Sequence, residues 1–303
     1  MIASPVSSYH EVSDNDLESV DNDKIDLKDL ENIMYGVPSE ETGKKVAEWH
    51  ENVGVNPEEL GEYAEGDILF PGASLRSALR SEYTRWPNKT LHFMISPVFT
   101  DREEALILEA MNDIQKNTCI RFVQRTGESA YIQITAGFSG CWSSIGYSGS
   151  RVYINLQRPG CVRKIGTIEH ELMHAMGFIH EQARSDRDDK VIIQWQNIKS
   201  GSENNFEKYS QTVVDDFGVQ YDYGSVMHYS NRAFSANGRP TIIARGNPNI
   251  PMGQRDGLSP NDILKINRMY KCYGKRKVRQ DKHPEYSNAS ITSPWNCWFG
   301  ILC

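Results

Sequence analysis

The chain has 303 residues, 39% of them hydrophobic, 10% aromatic and 24% charged, an ordinary globular composition with enough aromatic volume to fill a core. No stretch approaches 18 consecutive apolar residues, which excludes a membrane-spanning helix, and a net charge of −7 without a Lys/Arg block argues against nucleic-acid binding. The charge is unevenly placed: residues 1–76 carry 18 Asp+Glu against 5 Lys+Arg, and the remainder carries 22 against 28.

In chain order, residues 1–30 are rich in Asp, Ser and Asn and read as a poorly ordered acidic arm. Residues 39–51 have helical character, with Val46, Ala47 and Trp49 as a short apolar stripe. Pro57, Gly61, Gly66, Pro71 and Gly72 then punctuate an irregular segment. Leu91–Ile95 reads as a strand. Thr100 and Glu103 form a capping box, and Ile107, Ala110, Met111 and Ile114 recur at helical spacing. Ile120–Val123, Tyr131–Thr135 and Val152–Leu156 alternate as half-buried strands do. A helix is expected from about Thr167 to Met176, stopped by Gly177. Loops and turns are expected over 184–258, then a last helix capped by Ser259 with Pro260 in its first turn. The tail, 273–303, starts basic and ends apolar.

Six cysteines, Cys119, Cys141, Cys161, Cys272, Cys297 and Cys303, include no Cys-x-x-Cys pair. Their even number and wide spacing suit disulfides formed in an oxidising compartment. Two sequons, at Asn88 and Asn288, agree with a secreted glycoprotein. The chain opens Met-Ile-Ala-Ser-Pro, with no basic start and no apolar run. The expectation is that this sequence begins after the signal peptide or lacks the true start.

The decisive segment is His170-Glu171-Leu172-Met173-His174-Ala175-Met176-Gly177-Phe178-Ile179-His180-Glu181. Residues four apart share a helix face, so His170 and His174 can chelate one zinc ion at ~2.0–2.1 Å each. Gly177 can take a positive φ and end the helix, which lets the chain turn and bring in His180 as third ligand. Three imidazoles leave a position open for water, as in a catalytic zinc site. Glu171, rotated ~100° from His170, is placed to take a proton from that water as general base. At ordinary residue frequencies the full pattern arises by chance in a chain of this length on the order of 10⁻⁵ of the time. A structural zinc would have no use for the glutamate.

This is the extended zinc signature of the metzincins. Together with Glu181, Arg184-Ser185-Asp186-Arg187-Asp188 and the downstream Ser225-Val226-Met227-His228-Tyr229, it resembles the astacin family of secreted metallopeptidases over about residues 65–272. The resemblance implies an α+β, two-subdomain catalytic domain with a twisted mixed β-sheet, a zinc helix and a Met-turn at Met227, preceded by a propeptide. It implies one zinc ion per chain, Tyr229 as a further ligand of the mature form that swings off to hydrogen-bond the oxyanion, and protein or peptide substrates. Ala64-Glu65-Gly66-Asp67 resembles the family's pro-segment motif, with Asp67 taking the water's place on zinc. Ala64 stands where the family has phenylalanine; Tyr63 is the available substitute. Arg76-Ser77 resembles the activation junction, cut by another protease, after which the freed amino group is buried against Glu181. Before that cut Glu181 is expected to be only another surface acid.

The same resemblance implies the pairs Cys119–Cys272 and Cys141–Cys161; Cys297 and Cys303 have no counterpart, and pairing with each other or with another chain stays open. The organisation expected is therefore an acidic propeptide over 1–76, a peptidase domain over 77–272 and a short tail over 273–303. The leading reading is a secreted zinc endopeptidase made as a latent precursor, with no nucleic-acid partner and no membrane span. A narrower peptidase trimming one partner is a second reading. A catalytically dead binding protein is a third, disfavoured by the intact ligands and Glu171.

Overall fold

The computed structural model describes residues 38–69 and 84–272. Its upper half is built on a mixed six-stranded sheet. The strands are β1 (Ile68–Leu69), β2 (Thr90–Ile95), β3 (Arg121–Gln124), β4 (Ile132–Thr135), β5 (Cys141–Ser144) and β6 (Val152–Leu156), in the spatial order β1-β5-β6-β4-β2-β3. All neighbours run parallel except β5 and β6. β5 escapes a sequence reading because all four of its residues are buried, so no polar alternation marks it.

Helix α1 (Glu40–Ala47) is capped by Ser39 and presents Val46 to the core. Helix α2 (Asp101–Asn117) starts at the Thr100–Glu103 capping box, in which Thr100 N–H donates to Glu103 Oε2 at 2.8 Å. Its buried stripe is Ile107, Ala110, Met111 and Ile114, the face the periodicity marks. Helix α3 (Ile165–Met176) is buried from Gly166 onward, so its apolar residues serve the core while its polar ones line a site. Leu172, Met173 and Met176 join Ile107, Met111, Ile134 and Ile154 in one cluster. Each such fully buried side chain contributes about 1.5–3 kcal/mol. Gly177 ends α3 at φ 105°, and the Phe178 N–H reaches back to the Met173 carbonyl at 3.0 Å.

The lower half, residues 178–258, is mostly turns. The exception is a two-stranded antiparallel ribbon, β7 (Val191–Ile193) with β8 (Ile242–Ala244), where the composition predicts only loops. Three residues are too few to display a period. Polar side chains anchor this half: Arg187 donates to the Gln182 carbonyl at 3.0 Å, and Asn197 to the Pro240 carbonyl at 2.8 Å. Helix α4 (Pro260–Met269) closes the described chain. Asp262 in its first turn accepts from Ser225 Oγ at 2.5 Å and from the Val226 and Ser259 N–H groups at 3.0 Å.

Disulfides join Cys119 to Cys272 and Cys141 to Cys161. Arg76, Ser77, Asn288, Cys297 and Cys303 lie outside the described residues. Among the described residues, no helix is long and apolar enough to cross a membrane.

Candidate metal centre and active site

His170 and His174 leave α3 one turn apart, and the chain reversal after Gly177 swings His180 beside them. The three rings stand 4.7–5.0 Å apart between centroids. Main-chain carbonyls fix two of the tautomers. His170 Nδ1–H donates to Val226 O and His174 Nδ1–H to Phe178 O, each at 2.7 Å. Both Nε2 atoms therefore carry lone pairs, yet they lie 3.1 Å apart. Two acceptors at that distance repel unless a cation stands between them.

Asp67 completes the cluster. Its carboxylate lies 2.9 Å from His170 Nε2 and 3.3 Å from the Nε2 atoms of His174 and His180. All four ligand atoms fall within 4.8 Å of one another, and all four residues are buried. Three imidazole nitrogens and one carboxylate oxygen converging this way form a donor set that fits zinc. Burial works against the Asp67 charge, but the facing His180 and His174 outweigh it and hold the carboxyl well below its usual range.

Glu171 projects from α3 beside this cluster with both carboxylate oxygens buried and unpartnered. Burial first, then the charges of Asp67 and Glu58, push its pKa well above the usual range. Met227 is 2% exposed within the core, and its carbonyl accepts the Glu181 N–H at 2.9 Å. The turn at Met227 thus ties the segment carrying His180 to the carbonyl of Val226 that orients His170. The Tyr229 ring packs 4.6 Å from that of His180, and its hydroxyl donates to the Glu65 carbonyl. Asn88 is exposed.

The segment from Asn56 to Leu69 fills the cleft. Tyr63 packs edge-on against Trp142 and donates to the Ser139 carbonyl at 2.6 Å, while Ala64 packs beside Ile68 and Ile145. Tyr63 and Gly66 pair in a tight turn, after which β1 adds to β5 with Ile68 opposite Ser143.

Four participants have no reading in the sequence. Glu58 forms a buried ion pair with Arg255, and Glu59 accepts from Ser230 N–H at 2.5 Å and Ser230 Oγ at 2.6 Å. Asn56-Pro57-Glu58-Glu59 reads locally only as a helix start, with Asn56 as cap and acids in the first turn. Nothing local distinguishes Arg255. Lys265 pairs with Glu181, which corrects the expectation of a surface acid: Glu181 is 3% exposed and also accepts from Arg184 at 3.2 Å and the Asp222 N–H at 2.9 Å. An acid buried this deeply requires cations, and Lys265 and Arg184 supply them.

The family model for the astacin peptidases matches residues 78–271. Among curated proteins, zinc metalloproteinase nas-13 of Caenorhabditis elegans is 41% identical over 223 residues, 73% of this chain but 49% of the relative, so the chain spans about half that protein's length. Zinc metalloproteinase nas-4 of the same species is 35% identical over 265 residues, covering 80% of this chain and 83% of the relative. The low choriolytic enzyme of Oryzias latipes is 34% identical over 271 residues, covering 86% and 91%. A solved structure of high choriolytic enzyme 1, a hatching enzyme zinc-protease from the same fish, superposes with a TM-score of 0.58 at 42% identity. It covers 62% of this chain and 93% of that one. With the family's fold, its histidine cluster and this extent of likeness in place, the chain belongs to the astacin family and is a zinc metallopeptidase.

Proposed function

We propose that the chain is a secreted endopeptidase made latent, with residues 1–76 as propeptide, 77–272 as peptidase domain and 273–303 as a short tail. The observation that carries this reading is Asp67, seated among His170, His174 and His180 at 2.9–3.3 Å and buried there. A carboxylate at that point excludes water and substrate together. The tether presents it at high effective concentration, so modest intrinsic affinity is enough.

Bound by the three histidines, zinc supplies a Lewis acid that polarises the scissile carbonyl and acidifies water. Glu171 takes the proton from the attacking water and passes it to the leaving amine. Two of the causes that raise its pKa, Asp67 and Glu58, belong to the propeptide, so their departure returns it toward the range of a base. The Tyr229 phenol donates to the oxyanion that develops on the carbonyl. Departure of β1 leaves β5 as a free edge, to which an extended peptide adds its backbone. An activating protease cuts after Arg76 and releases Ser77 toward Glu181, where the new ammonium competes with Lys265. Two disulfides support secretion, since such bonds persist in oxidising compartments; the exposed Asn88 is available for glycosylation.

The test uses the full chain with Arg76→Ala to prevent processing, and a quenched casein substrate. That chain should be silent, and adding Asp67→Ala should make it hydrolyse casein uncut. If the uncut wild type is as fast as the trimmed enzyme, the latch is wrong.

A further inference from the structure

The three histidines differ in what holds their second ring nitrogen. His170 and His174 donate to carbonyls of Val226 and Phe178, which belong to the catalytic body and remain after any trimming. His180 donates instead to a carboxylate 115 residues away: Nδ1–H meets Glu65 Oε2 at 2.6 Å, and the same oxygen accepts the His180 main-chain N–H at 3.3 Å. His180 is fully buried and Glu65 is 6% exposed, so water competes little for either contact.

The backbone is shaped to make this grip. Glu65 sits at φ 50°, a left-handed conformation that a residue with a side chain adopts only at some cost. Gly66 follows at φ 90°, where a Cβ would stand 2.7 Å from the Phe234 ring. The turn is closed by Gly66 N–H to Tyr63 O and Ile68 N–H to Ala64 O, both at 2.9 Å. It sends Glu65 and Asp67 to opposite sides of one imidazole: Asp67 faces His180 Nε2 and Glu65 holds Nδ1. The Glu65 carbonyl accepts the Tyr229 hydroxyl as well.

We infer that Glu65 is a positioning residue that makes the latent chain hold zinc more tightly than the trimmed enzyme. The inference rests on the latch reading above and adds a second residue to it. A carboxylate on the outer nitrogen fixes the tautomer and the ring orientation and makes the inner nitrogen a stronger donor. Loss of such a partner typically lowers metal affinity 10–100-fold. Trimming therefore removes both Asp67, which touches the metal position, and Glu65, which acts through His180.

The experiment compares full-length Arg76→Ala chains carrying no further change, Glu65→Gln, Glu65→Ala or Asp67→Ala with the trimmed wild type, which should bind zinc more weakly than the first of these. Zinc affinity is read by competition with a colorimetric chelator, the His180 Nδ1–H by its far-downfield proton resonance, and the metal-free fold by its unfolding midpoint. Glu65→Ala should weaken zinc binding about 10–100-fold and abolish the shifted resonance. Glu65→Gln, which keeps an acceptor without the charge, should fall between. The metal-free midpoint should fall further for Glu65→Ala, which strands two buried N–H groups, than for Glu65→Gln, whereas a merely structural role would lower the midpoint and leave zinc affinity unmoved. Unchanged zinc affinity in Glu65→Ala, with Asp67→Ala still leaky, overturns the inference and leaves the latch standing. If Asp67→Ala is also silent and wild-type in affinity, both readings fall.

Discussion

The two halves of the molecule are held together by different physics. Above the cleft, a six-stranded sheet and two long helices share one large apolar cluster that runs from Val46 to Tyr270 and takes in only Phe178, Val226 and Met227 from the lower half. Below it, the second cluster is small (Val191, Ile193, Ile198, Phe206, Tyr221, Tyr229, Ala233 and Ile242), and polar pins from Arg187, Asn197 and Asp262 fix the turns around it. Packing is distributed, so each upper contact matters moderately. A pin is local, and losing one leaves several buried groups without partners. Each half also contributes one group to the proposed chemistry, Glu171 from the upper helix and Tyr229 from the lower turns.

The largest effect expected separates those two groups. Glu171→Ala in the trimmed enzyme should lower kcat by at least about 10³-fold with zinc content unchanged, since it removes a base and no ligand. Tyr229→Phe should lower kcat about 10²-fold and leave KM nearly unmoved, because its hydrogen bond is made mainly in the transition state. Metal analysis alongside steady-state kinetics reads both. A Tyr229→Phe loss confined to KM would place that group in substrate binding and remove the lower half from the chemistry.

Stability tests the contrast directly. Asp262→Ala strands Ser225 Oγ and the Val226 and Ser259 N–H groups, and should cost about 3–5 kcal/mol. Ile154→Val, in the middle of the upper sheet, removes one methylene and should cost about 1 kcal/mol. Denaturant midpoints of the latent chain decide. Equal losses would mean that the lower half is packed as redundantly as the upper.

The disulfides extend the comparison. Cys119–Cys272 spans 153 residues and links the end of α2 to the chain after α4, whereas Cys141–Cys161 spans 20 within the upper half. Loop-closure entropy assigns about 5 kcal/mol to the first and about 3 kcal/mol to the second. Replacing each pair by serines should reproduce that order in thermal melts. The reverse order would show that the short bridge, between β5 and the turn before α3, is held by more than chain entropy.

Legibility in the sequence follows the same division. Helix α2 and most upper strands carry a period that burial imposes, so Thr100 and Ile107 announce themselves, while the zinc helix, buried on all sides, is read from its paired histidines and Gly177. The third histidine is readable because Gly177 dictates a turn. The lower half is specified by partners distant in sequence. Arg255 meets Glu58 across 197 residues, and no local pattern encodes that meeting. Glu65 is visible as a neighbour of Asp67, yet its hold on His180 exists only once the turn at Gly66 forms.

The most gradual effect concerns a weak point inside the apolar half. Glu169, on α3 and fully buried by its neighbours, has its pKa pushed up to about 8, first by burial and then by the adjacent Asp113 carboxylate. In the unfolded chain it titrates near 4.5. Between these values the folded protein keeps a proton that the unfolded chain has released, so stability falls as pH rises. The contribution is fully present below about 4.5 and is lost as pH passes about 8. Glu169→Gln preserves the shape and cannot ionise, so it should flatten that decline. Melts of the latent chain across about pH 5 to 9 should show the wild type losing about 10 °C more than the variant, from a linkage of about 4 kcal/mol at about 2–4 °C per kcal/mol for a domain of this size. Parallel curves would mean that another group titrates in this window and that the apolar half tolerates the Glu169 charge.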